Sequence, residues 1–578
     1  MCSETSRRER WFPLAFLLLA FVVLAPLFSH PLRYADKSDW NHFQAFLEVA
    51  RRSVVWWHQA PLWNPYGCGG EVLLANPQSE VAAPTFLLSL LFGTALGVKL
   101  SLVVYLFCGF DGMYRLSRRL GVQSAGALLS SVLFGMGGWM ALHLLVGHTN
   151  FASAMLFPYL LLFYSRALDD RYWTIAVGAV AAWIVGLGGT TTPAMAMVLL
   201  FTIATIDAIG KRSLLPYGVL VLSTVCATLI GAVRLFPAIE FATVHPRRQW
   251  QTDSTTIWQM ILNGYRWRSD VKLPGKLYRF HEYGWRLAYL TPPLILWSMT
   301  LKRFRRWWIV AGVGAAIAAG AAIPFGPWWM LKHLPIFRDL RVPSRYTVML
   351  ALAFPILCGA ALCDLQSRLK RGAALLAISV VAVASVDGLA FDWARLREIP
   401  LPQKQIASKG DPFYQEQGHW TQTMDLVLAN HGVIACSEEA PLQRADKLEI
   451  GDVPQLRLSD SAAGTIDGYK WTPNRISAAV SLIQPATFLV NENWNEHWKT
   501  TVGEVVKYGN KYAHDDDGGQ LAVTLPTGVY RFELYYRPTS FVLGTVVSAV
   551  SIPLLLALWI WHRRRVRALN DAERRPTD

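Results

Sequence analysis

The stretch FPLAFLLLAFVVLAPLF (residues 12–28) carries no charged side chain and approaches the roughly 20 residues that a membrane-spanning helix needs. The stretch GTVVSAVSIPLLLALWIW (544–561) has the same character near the other end of the chain. The whole chain of 578 residues is 53% hydrophobic and only 16% charged. Unbroken apolar runs of this length, rather than a periodic apolar stripe, predict a polytopic α-helical membrane protein.

Similar apolar runs recur along the chain and predict about twelve transmembrane helices. These runs lie near residues 11–29, 98–114, 124–142, 152–168, 173–187, 192–209, 214–234, 287–301, 307–323, 345–363, 372–387 and 541–561. The first follows a basic segment, as the core of a signal peptide would. It is longer than such a core and no small-x-small cleavage site follows it, so we expect an uncleaved helix.

The basic residues predict the orientation in the membrane. The formal net charge is +15, and Arg and Lys cluster at the ends of alternate spans, for example in 115–119, 302–306 and 563–565. Short loops rich in Lys and Arg stay in the cytoplasm, so both termini are expected there. Most of the positive charge is thereby explained by topology, and a nucleic-acid partner is not expected.

This orientation divides the chain into three predicted regions. Residues 1–387 form a transmembrane module whose outer loop, 30–97, bears surface helices, one of them at 84–96. Residues 388–540 form a β-rich domain outside the membrane. Residues 541–578 hold the last transmembrane helix and a basic cytoplasmic tail.

The β-rich domain is predicted from period-two alternation of apolar and polar residues. GQLAVTLP and VYRFELYYRP alternate in this way, and the intervening PTG predicts a hairpin between them. ATFLVNENW and KTTVGEVVKYG look like further strands. Cys68 and Cys436 are the two cysteines expected to meet an oxidising compartment, and a disulfide between them is left open.

The first outer loop begins with RYADKSDWNHFQAF (33–46), which places Asp36 and Asp39 where the chain emerges from lipid. Trp40, Phe43 and Leu47 then begin an apolar stripe with helical spacing, which predicts an amphipathic helix lying at the membrane surface. The two acids allow two interpretations. They cap the helix, with Asp36 at the N-cap and Asp39 at N3, or they carry out chemistry.

Further along the same loop, PLWNPYGCGGEVLLANPQSEVAAP (61–84) is rich in Pro, Gly and Asn without periodicity. Asn64, Asn76 and Gln78 could bind polar groups there. The two Asn-Pro pairs suit turns equally well.

Two other outer segments carry candidate binding residues. VGHTN places His148 at the outer end of the third span, where it contacts a ligand or simply lies at the interface. FRDLRVPSRY places Arg338, Arg341 and Arg345 at the outer mouth of the tenth span, against the topological bias. Three guanidinium groups there indicate an anionic ligand such as a phosphate, and contact with lipid head groups is the alternative.

The strings PLWNPYGCGGEVLLANPQSE, VGHTN, RVPSRY and ENWNEHWKTTVGEVV resemble the YfhO family of bacterial membrane proteins, over nearly the whole chain. That family belongs to the GT-C class of glycosyltransferases, which use lipid-phosphate-sugar donors. The resemblance implies a GT-C-like fold in the bacterial cytoplasmic (inner) membrane and a donor such as an undecaprenyl-phosphate sugar. It also implies an acceptor on the outer face, namely a cell-envelope glycan, lipid or protein.

The resemblance further implies a catalytic carboxylate in the first outer loop, for which Asp39 matches best, with Asp36 beside it. The two acids form DxxD rather than DxD, so no metal site is assigned and a divalent metal is left open. The other expected roles are donor-phosphate binding by Arg338, Arg341, Arg345 and His148, and substrate binding by His42, Asn64, Asn76 and Gln78. Transfer in one displacement would invert the anomeric carbon.

Two other functions are considered beside glycosyl transfer. The first is a transporter or flippase of a lipid-linked saccharide, and the second is a non-catalytic assembly protein for an envelope polymer. Transporters tend to carry ionisable groups near the bilayer midplane. In this sequence the polar features concentrate on one predicted face, which favours chemistry at the membrane surface.

Overall fold

The computed structural model describes residues 10–245, 252–369, 371–436, 445, 448–509 and 519–573. Helices follow the apolar runs through most of the chain. The α-helices are α1 (Phe12–Leu24), α2 (Trp40–Val55), α3 (Phe86–Phe92), α4 (Thr94–Arg119), α5 (Ser124–Gly135), α6 (Trp139–Leu145), α7 (Phe157–Ala167), α8 (Trp173–Gly186), α9 (Thr191–Lys211), α10 (Leu215–Val244), α11 (Ile257–Asn263), α12 (Thr291–Ser298), α13 (Arg305–Ala318), α14 (Pro327–Leu331), α15 (Val348–Arg368), α16 (Ala373–Leu396), α17 (Thr423–Leu428) and α18 (Thr539–Glu573).

Seven helical stretches in the described part of the chain are long and apolar enough to cross a membrane, by length and composition. They are Thr94–Arg119, Ser124–Leu145, Thr191–Lys211, Leu215–Val244, Pro343–Arg368, Ala373–Leu396 and Thr539–Ala568. Phe12–Phe28 and Trp173–Gly186 are shorter apolar helices. The prediction of a polytopic helical membrane protein is supported, and the count of about twelve spans stays a prediction.

One predicted surface helix has different bounds in the structure. The segment 84–96 is divided at Gly93, whose φ of 80° ends α3 at Phe92. Helix α4 begins at Thr94, earlier than the predicted span of 98–114. The apolar composition did not show this break, because only the backbone angle at Gly93 separates the two helices.

Helix α2 is buried within the protein on its polar side as well as its apolar side, and its position at a membrane surface stays a prediction. Arg52, a charged residue of this helix, has a side chain only 1% exposed. Its Nε donates to Glu48 Oε1 over 3.0 Å, and its Nη1 donates to the carbonyl of Val427 over 2.6 Å. Helix α17 therefore covers the polar side of α2, and a buried ion pair replaces contact with water.

The C-terminal β-rich region contains two four-stranded antiparallel sheets, with strand orders β10-β11-β8-β5 and β6-β7-β12-β9. Two further sheets have two strands each, β1 with β2 and β3 with β4. The strands are β1 (Trp63–Asn64), β2 (Glu71–Val72), β3 (Gln415–Glu416), β4 (Gly432–Val433), β5 (Leu456–Leu458), β6 (Gly464–Thr472), β7 (Arg475–Leu482), β8 (Ala486–Asn493), β9 (Trp498–Thr500), β10 (Glu504–Tyr508), β11 (Gln520–Leu525) and β12 (Gly528–Tyr536).

The predicted hairpin between β11 and β12 is wrong. Strand β11 pairs with β10 and β8, whereas β12 pairs with β7 and β9, so the chain crosses from one sheet to the other between them. Phe488 and Phe532 meet edge to face, with ring centroids 5.1 Å apart, and one comes from each sheet. Alternation identifies the buried face of a strand but not its neighbour.

The loop of residues 61–73 is held against the β-rich region. Cys68 and Cys436 form a disulfide, with Cα atoms 4.4 Å apart, which answers the question that the sequence left open. Asn493 Nδ2 donates to the carbonyls of Cys68 and Gly70 over 2.6 and 2.9 Å. These bonds join residues 68–70 to Cys436 and to strand β8.

Candidate active site

A polar cavity of about 190 Å³ lies where five segments of the chain meet. Its wall is formed by the start of α2, the loop at residue 78, residues 148–151, the start of α9 and residues 339–345. The predicted site residues in this wall are Asp39, His42, Gln78, His148, Arg341 and Arg345. Segments far apart in sequence thus bring together most of the predicted acid, base and phosphate-binding groups.

Asp39 immediately precedes α2, and its Oδ2 lies 3.0 Å from His148 Nε2. Its side chain makes no capping hydrogen bond, so the helix-capping interpretation of this acid is wrong. The backbone N–H of Asp39 donates instead to the carbonyl of Val146 over 2.9 Å. The carboxylate is therefore directed to the cavity and to His148.

Asp36 has a different place, and the structure gives no support for its predicted catalytic or capping role. Its Oδ1 accepts from Asn41 Nδ2 over 2.7 Å, and its Oδ2 lies 3.3 Å from Lys404 Nζ. It is not among the residues of the cavity wall. Because both oxygens are paired, DxxD does not form a converging pair of carboxylates.

Gly147 brings His148 to Asp39. Its φ is +94°, and a Cβ at this position would lie 2.0 Å from the backbone nitrogen of Trp40. Only glycine allows this close approach in the left-handed region. The Nε1 of Trp40 also donates to the carbonyl of Leu144 over 2.7 Å, so a second interaction holds the start of α2 against residues 144–147.

His148 contacts the acid rather than standing free to hold a phosphate as predicted. Its Nδ1 lies 3.0 Å from Nδ1 of His143. Burial lowers the pKa of His148 more than the neighbouring Asp39 raises it, so the ring is neutral at pH 7. With Nε2–H donating to Asp39, Nδ1 of His148 accepts and Nδ1 of His143 donates.

Asp39 is ionised in this setting. Burial raises the pKa of Asp39, but the hydrogen bond from the neutral ring of His148 and the positive charge of His281 lower it further, to a net value below the ordinary one. His148 is therefore a positioning residue that orients a charged carboxylate. Sequence reasoning found both residues but not their pairing.

A second ionic cluster centres on Glu282, whose side chain is 4% exposed. Arg345 Nε donates to Glu282 Oε2 over 2.6 Å, and Arg345 Nη2 donates to Oε1. His281 lies between two acids, with Nδ1 2.8 Å from Asp270 Oδ1 and Nε2 3.4 Å from Glu282 Oε1. Arg345, predicted to hold a phosphate, is thus first of all the counter-ion of Glu282.

The ligand atoms of His148, His281 and Glu282 lie within 4.8 Å of one another, close enough for a metal ion by spacing alone. Every one of them is already engaged, with Asp39, Asp270 or Arg345. A cation bound there would have to displace a guanidinium group from a buried carboxylate. These residues do not fit a metal, and we derive no step through one.

His281 makes the stability of this cluster depend on pH. Burial lowers the pKa of His281, but Glu282 and Asp270 together raise it to about 9. A raised pKa means that its contribution to stability is complete below the ordinary value of 6.5 and is lost as the pH rises through about 9. We expect the unfolding temperature of the purified protein to fall over that alkaline range, and to fall less in His281→Gln. Parallel falls in both proteins would contradict this assignment.

The remaining two arginines differ in position. Arg338 has a side chain 56% exposed, lies 3.6 Å from Asp339 and is not in the cavity wall. Arg341 is in the wall, with its Cζ 5.9 Å from the ring centroid of Tyr278. No carboxylate in the described ranges lies within 4.0 Å of Arg341, which leaves its charge available to a ligand.

Of the four substrate-binding residues predicted in segment 30–97, two lie in the cavity wall and two lie outside it. Asn64 Oδ1 accepts from the N–H of Tyr66, and Asn76 Oδ1 accepts from the N–H of Gln78, each over 3.0 Å. The turn interpretation is therefore right for both asparagines, and neither is in the cavity wall. Gln78 is in the wall, as is His42, whose ring packs 4.4 Å from that of Phe46.

Sequence reasoning missed several residues that the structure places at the site. They are Asn150, Thr190, Thr191, His281 and Glu282. One signal was available in GLGGTTTP (186–193), a pair of glycines followed by threonines directly before a span. Gly188 and Gly189 have φ values of 77° and 78°, and this turn lets α9 begin at the cavity.

A large apolar groove of about 1060 Å³ is present in the described part of the molecule. Its wall comes from α9, α10, α13 and α14 and includes Met197, Phe201, Leu220, Val313, Met330 and Phe337. Helix α9 and the segment 337–345 each contribute to both the groove and the polar cavity.

No family model matches the chain, and no curated protein matches it. Among solved structures, arabinofuranosyltransferase AftD from Mycobacteria aligns with a TM-score of 0.46 and 15% identity, over 75% of this chain and 32% of AftD. ArnT from Cupriavidus metallidurans bound to undecaprenyl phosphate aligns at 0.45 and 13%, over 73% and 85%. Oligosaccharyltransferase AglB from Archaeoglobus fulgidus, with an inhibitory peptide and a dolichol-phosphate, aligns at 0.44 and 11%, over 74% and 65%. This chain spans about a third of the length of AftD, and the resemblance to the YfhO family stays a prediction.

Proposed function

We propose that this protein is a membrane glycosyltransferase that moves a sugar from a polyprenyl-phosphate donor to a cell-envelope acceptor. The observation that carries the proposal is a polar cavity and an apolar groove built partly from the same two segments. An ionised, oriented carboxylate and an unpaired guanidinium share the cavity, and helix α9 and the segment 337–345 contribute to both the cavity and the groove. A lipid-linked sugar phosphate has the same sequence of parts, with an apolar chain, an anionic phosphate and a polar sugar.

Each residue then has a definite part in one displacement. The acceptor hydroxyl oxygen attacks the anomeric carbon and loses its proton to Asp39, which acts as general base. The bond from that carbon to the phosphate oxygen breaks, and the electron pair leaves with the lipid phosphate. Arg341 stabilises the charge on the leaving phosphate. The cluster of Arg345, Glu282 and His281 holds the cavity wall in place, and a single displacement inverts the anomeric carbon.

The site belongs, in this proposal, on the outer face of the bacterial cytoplasmic membrane, with both termini in the cytoplasm. The Cys68–Cys436 disulfide supports an oxidising compartment for the first outer loop and the β-rich domain. We expect alkaline phosphatase fused after residue 430 to be active, because the enzyme needs export to fold. An inactive fusion there, beside an active one after residue 60, would overturn the placement of residues 388–540.

A flippase is the second candidate function, and one observation bears on it. Asp387 of α16 forms an ion pair at 2.7 Å with Arg286, which precedes α12 and is 1% exposed, and a transporter could use such a pair. The cavity with Asp39 lies instead beside the outer loops, and its groups suit bond cleavage. A non-catalytic assembly protein would have no need of an ionised acid oriented by histidine.

The decisive assay uses purified full-length protein in nanodiscs with radiolabelled polyprenyl-phosphate sugars and an envelope extract. We expect label to pass to the extract with at least one sugar, or the donor to be hydrolysed slowly when no acceptor is present. Movement of intact donor across the bilayer without cleavage would instead identify a flippase. An unchanged donor in both assays would favour the assembly role.

Arg341→Gln is expected to weaken donor binding. A charge-assisted hydrogen bond contributes roughly 1.5–3 kcal/mol, so the Kd for a polyprenyl phosphate should rise about 10- to 150-fold. Titration of the labelled lipid into purified protein measures the change. Arg338→Gln is the matched control, since that side chain is exposed and outside the wall. Equal Kd values for the two variants would place the phosphate elsewhere.

A further inference from the structure

A second groove, of about 530 Å³, lies at the ends of two apolar helices. One wall is the end of the first helix, Phe12–Phe28, and the other is the end of α16. The backbone N–H of Asp36 donates to the carbonyl of Pro400 over 3.0 Å, which connects this region to the loop that carries Asp39. The groove shares no lining residue with the polar cavity or with the groove of α9 and α13.

The polar part of this second groove is basic. It is lined by His30, Arg33 and Arg397, and no carboxylate of the described residues lies within 4.0 Å of either arginine. Glu398, the acid next in sequence, is engaged by Arg395 at 2.9 Å and by Lys37 at 3.8 Å. The two arginines therefore present charge that the protein does not neutralise.

The turn that carries Arg33 is rigidly built. Lys99, which is 2% exposed, donates from its Nζ to the carbonyls of His30, Pro31 and Arg33 over 2.7, 3.1 and 2.8 Å. One buried ammonium group thus fixes three of the four backbone carbonyls of residues 30–33 and adds a positive charge behind them. A site built in this way is formed before a ligand arrives, which lowers the entropic cost of binding.

The rest of the lining is apolar. It includes Pro26, Trp393 and Leu396, and the Nε1 of Trp393 donates to the carbonyl of Val22 over 2.8 Å. That bond ties α16 to the first helix. The Cζ of Arg397 lies 4.9 Å from the ring centroid of Trp393, at the boundary between the apolar and basic parts.

We propose that this groove binds one anionic phospholipid of the adjoining leaflet. Its phosphate contacts Arg33 and Arg397, and an acyl chain lies along Pro26, Trp393 and Leu396. Guanidinium groups bind phosphate through paired N–H donors, and a basic pocket at the end of membrane helices suits a lipid head group. The proposal does not depend on the glycosyltransferase activity, because the lipid is a ligand and not a reactant.

The test is native mass spectrometry of full-length protein in detergent, titrated with phosphatidylglycerol or phosphatidylcholine of the same acyl chains. We expect phosphatidylglycerol to bind at least about tenfold more tightly, and this preference to be lost in the double variant Arg33→Gln, Arg397→Gln. Arg268→Gln, which removes an exposed arginine elsewhere, is the control and should keep the preference.

Equal binding of the two lipids, or an unchanged preference in the double variant, would overturn the proposal. The same holds if polyprenyl phosphate displaces phosphatidylglycerol from these arginines, because the groove would then belong to the donor. If the double variant does not purify, Arg397→Gln alone carries the test. Its side chain is exposed and makes no hydrogen bond to the fold among the described residues, so folding should not depend on it.

Discussion

Asp39→Asn lowers sugar transfer by about 100-fold or more and leaves the protein folded, on the scale usual for loss of a general base. Asparagine keeps the shape of the side chain, and its oxygen still accepts the hydrogen bond from His148 Nε2, which lies 3.0 Å from the native carboxylate. It cannot take up the proton of the acceptor hydroxyl. The measurement is the initial rate of transfer from a labelled donor, with the elution profile of each purified variant as the check on folding.

Asp36→Asn is the matched control for this prediction, because Asp36 is paired with Asn41 and Lys404 outside the cavity. It should keep most of the wild-type rate. Should Asp39→Asn turn over as fast as the wild type, the assignment of the base fails. Glu71, another acid of the same loop, does not replace it readily, since it accepts from Asn64 over 2.9 Å and is not in the cavity wall.

Arg345→Met should destabilise the folded protein by about 3–5 kcal/mol, the usual effect of leaving one charge of a buried pair without its partner. Glu282 would remain in a site where its side chain is 4% exposed, with His281 as its remaining positive neighbour. The shift is measured as the loss of unfolding free energy of purified protein in mixed micelles. Because transfer is not needed for this measurement, it tests the cluster independently of the proposed activity.

A second substitution separates the lost ion pair from lost packing. The double variant Arg345→Met, Glu282→Gln removes both charges, so it should recover much of the stability that Arg345→Met loses. If the double variant is less stable than Arg345→Met by the full effect of Glu282→Gln, the two side chains act separately. The role of Arg345 as counter-ion would then be wrong.

Much of the fold could be predicted from the sequence, because membrane helices and strands carry strong local patterns. The stretch at 12–28, the span near 192–209 and the strand at 486–493 all form the expected element. Long-range pairing had no such signal. The chain crosses between the two sheets after β11, because β11 pairs with β8 and β10 whereas β12 pairs with β7 and β9. No local pattern predicts these pairings. The burial of α2 likewise depends on α17, nearly 400 residues later in the chain.

The same contrast between local patterns and long-range contacts holds for the candidate site. Asp39, His148 and Arg345 could be proposed from their positions at the predicted membrane surface, and all three line one cavity. Their roles could not, because each depends on a partner elsewhere in the fold. The role of His148 follows only from its contact with Asp39. The role of Arg345 follows only from its ion pair with Glu282, which lies in a segment without a recognisable motif.

The central claim is that one cavity joins the lipid phosphate of the donor to Asp39. A structure of the protein determined with bound polyprenyl phosphate tests this most directly. The account predicts that the phosphate lies within hydrogen-bond distance of Arg341, with the prenyl chain along α9 and α13 in the apolar groove. A phosphate bound away from Arg341 and from the cavity of Asp39, with the groove empty, would contradict it.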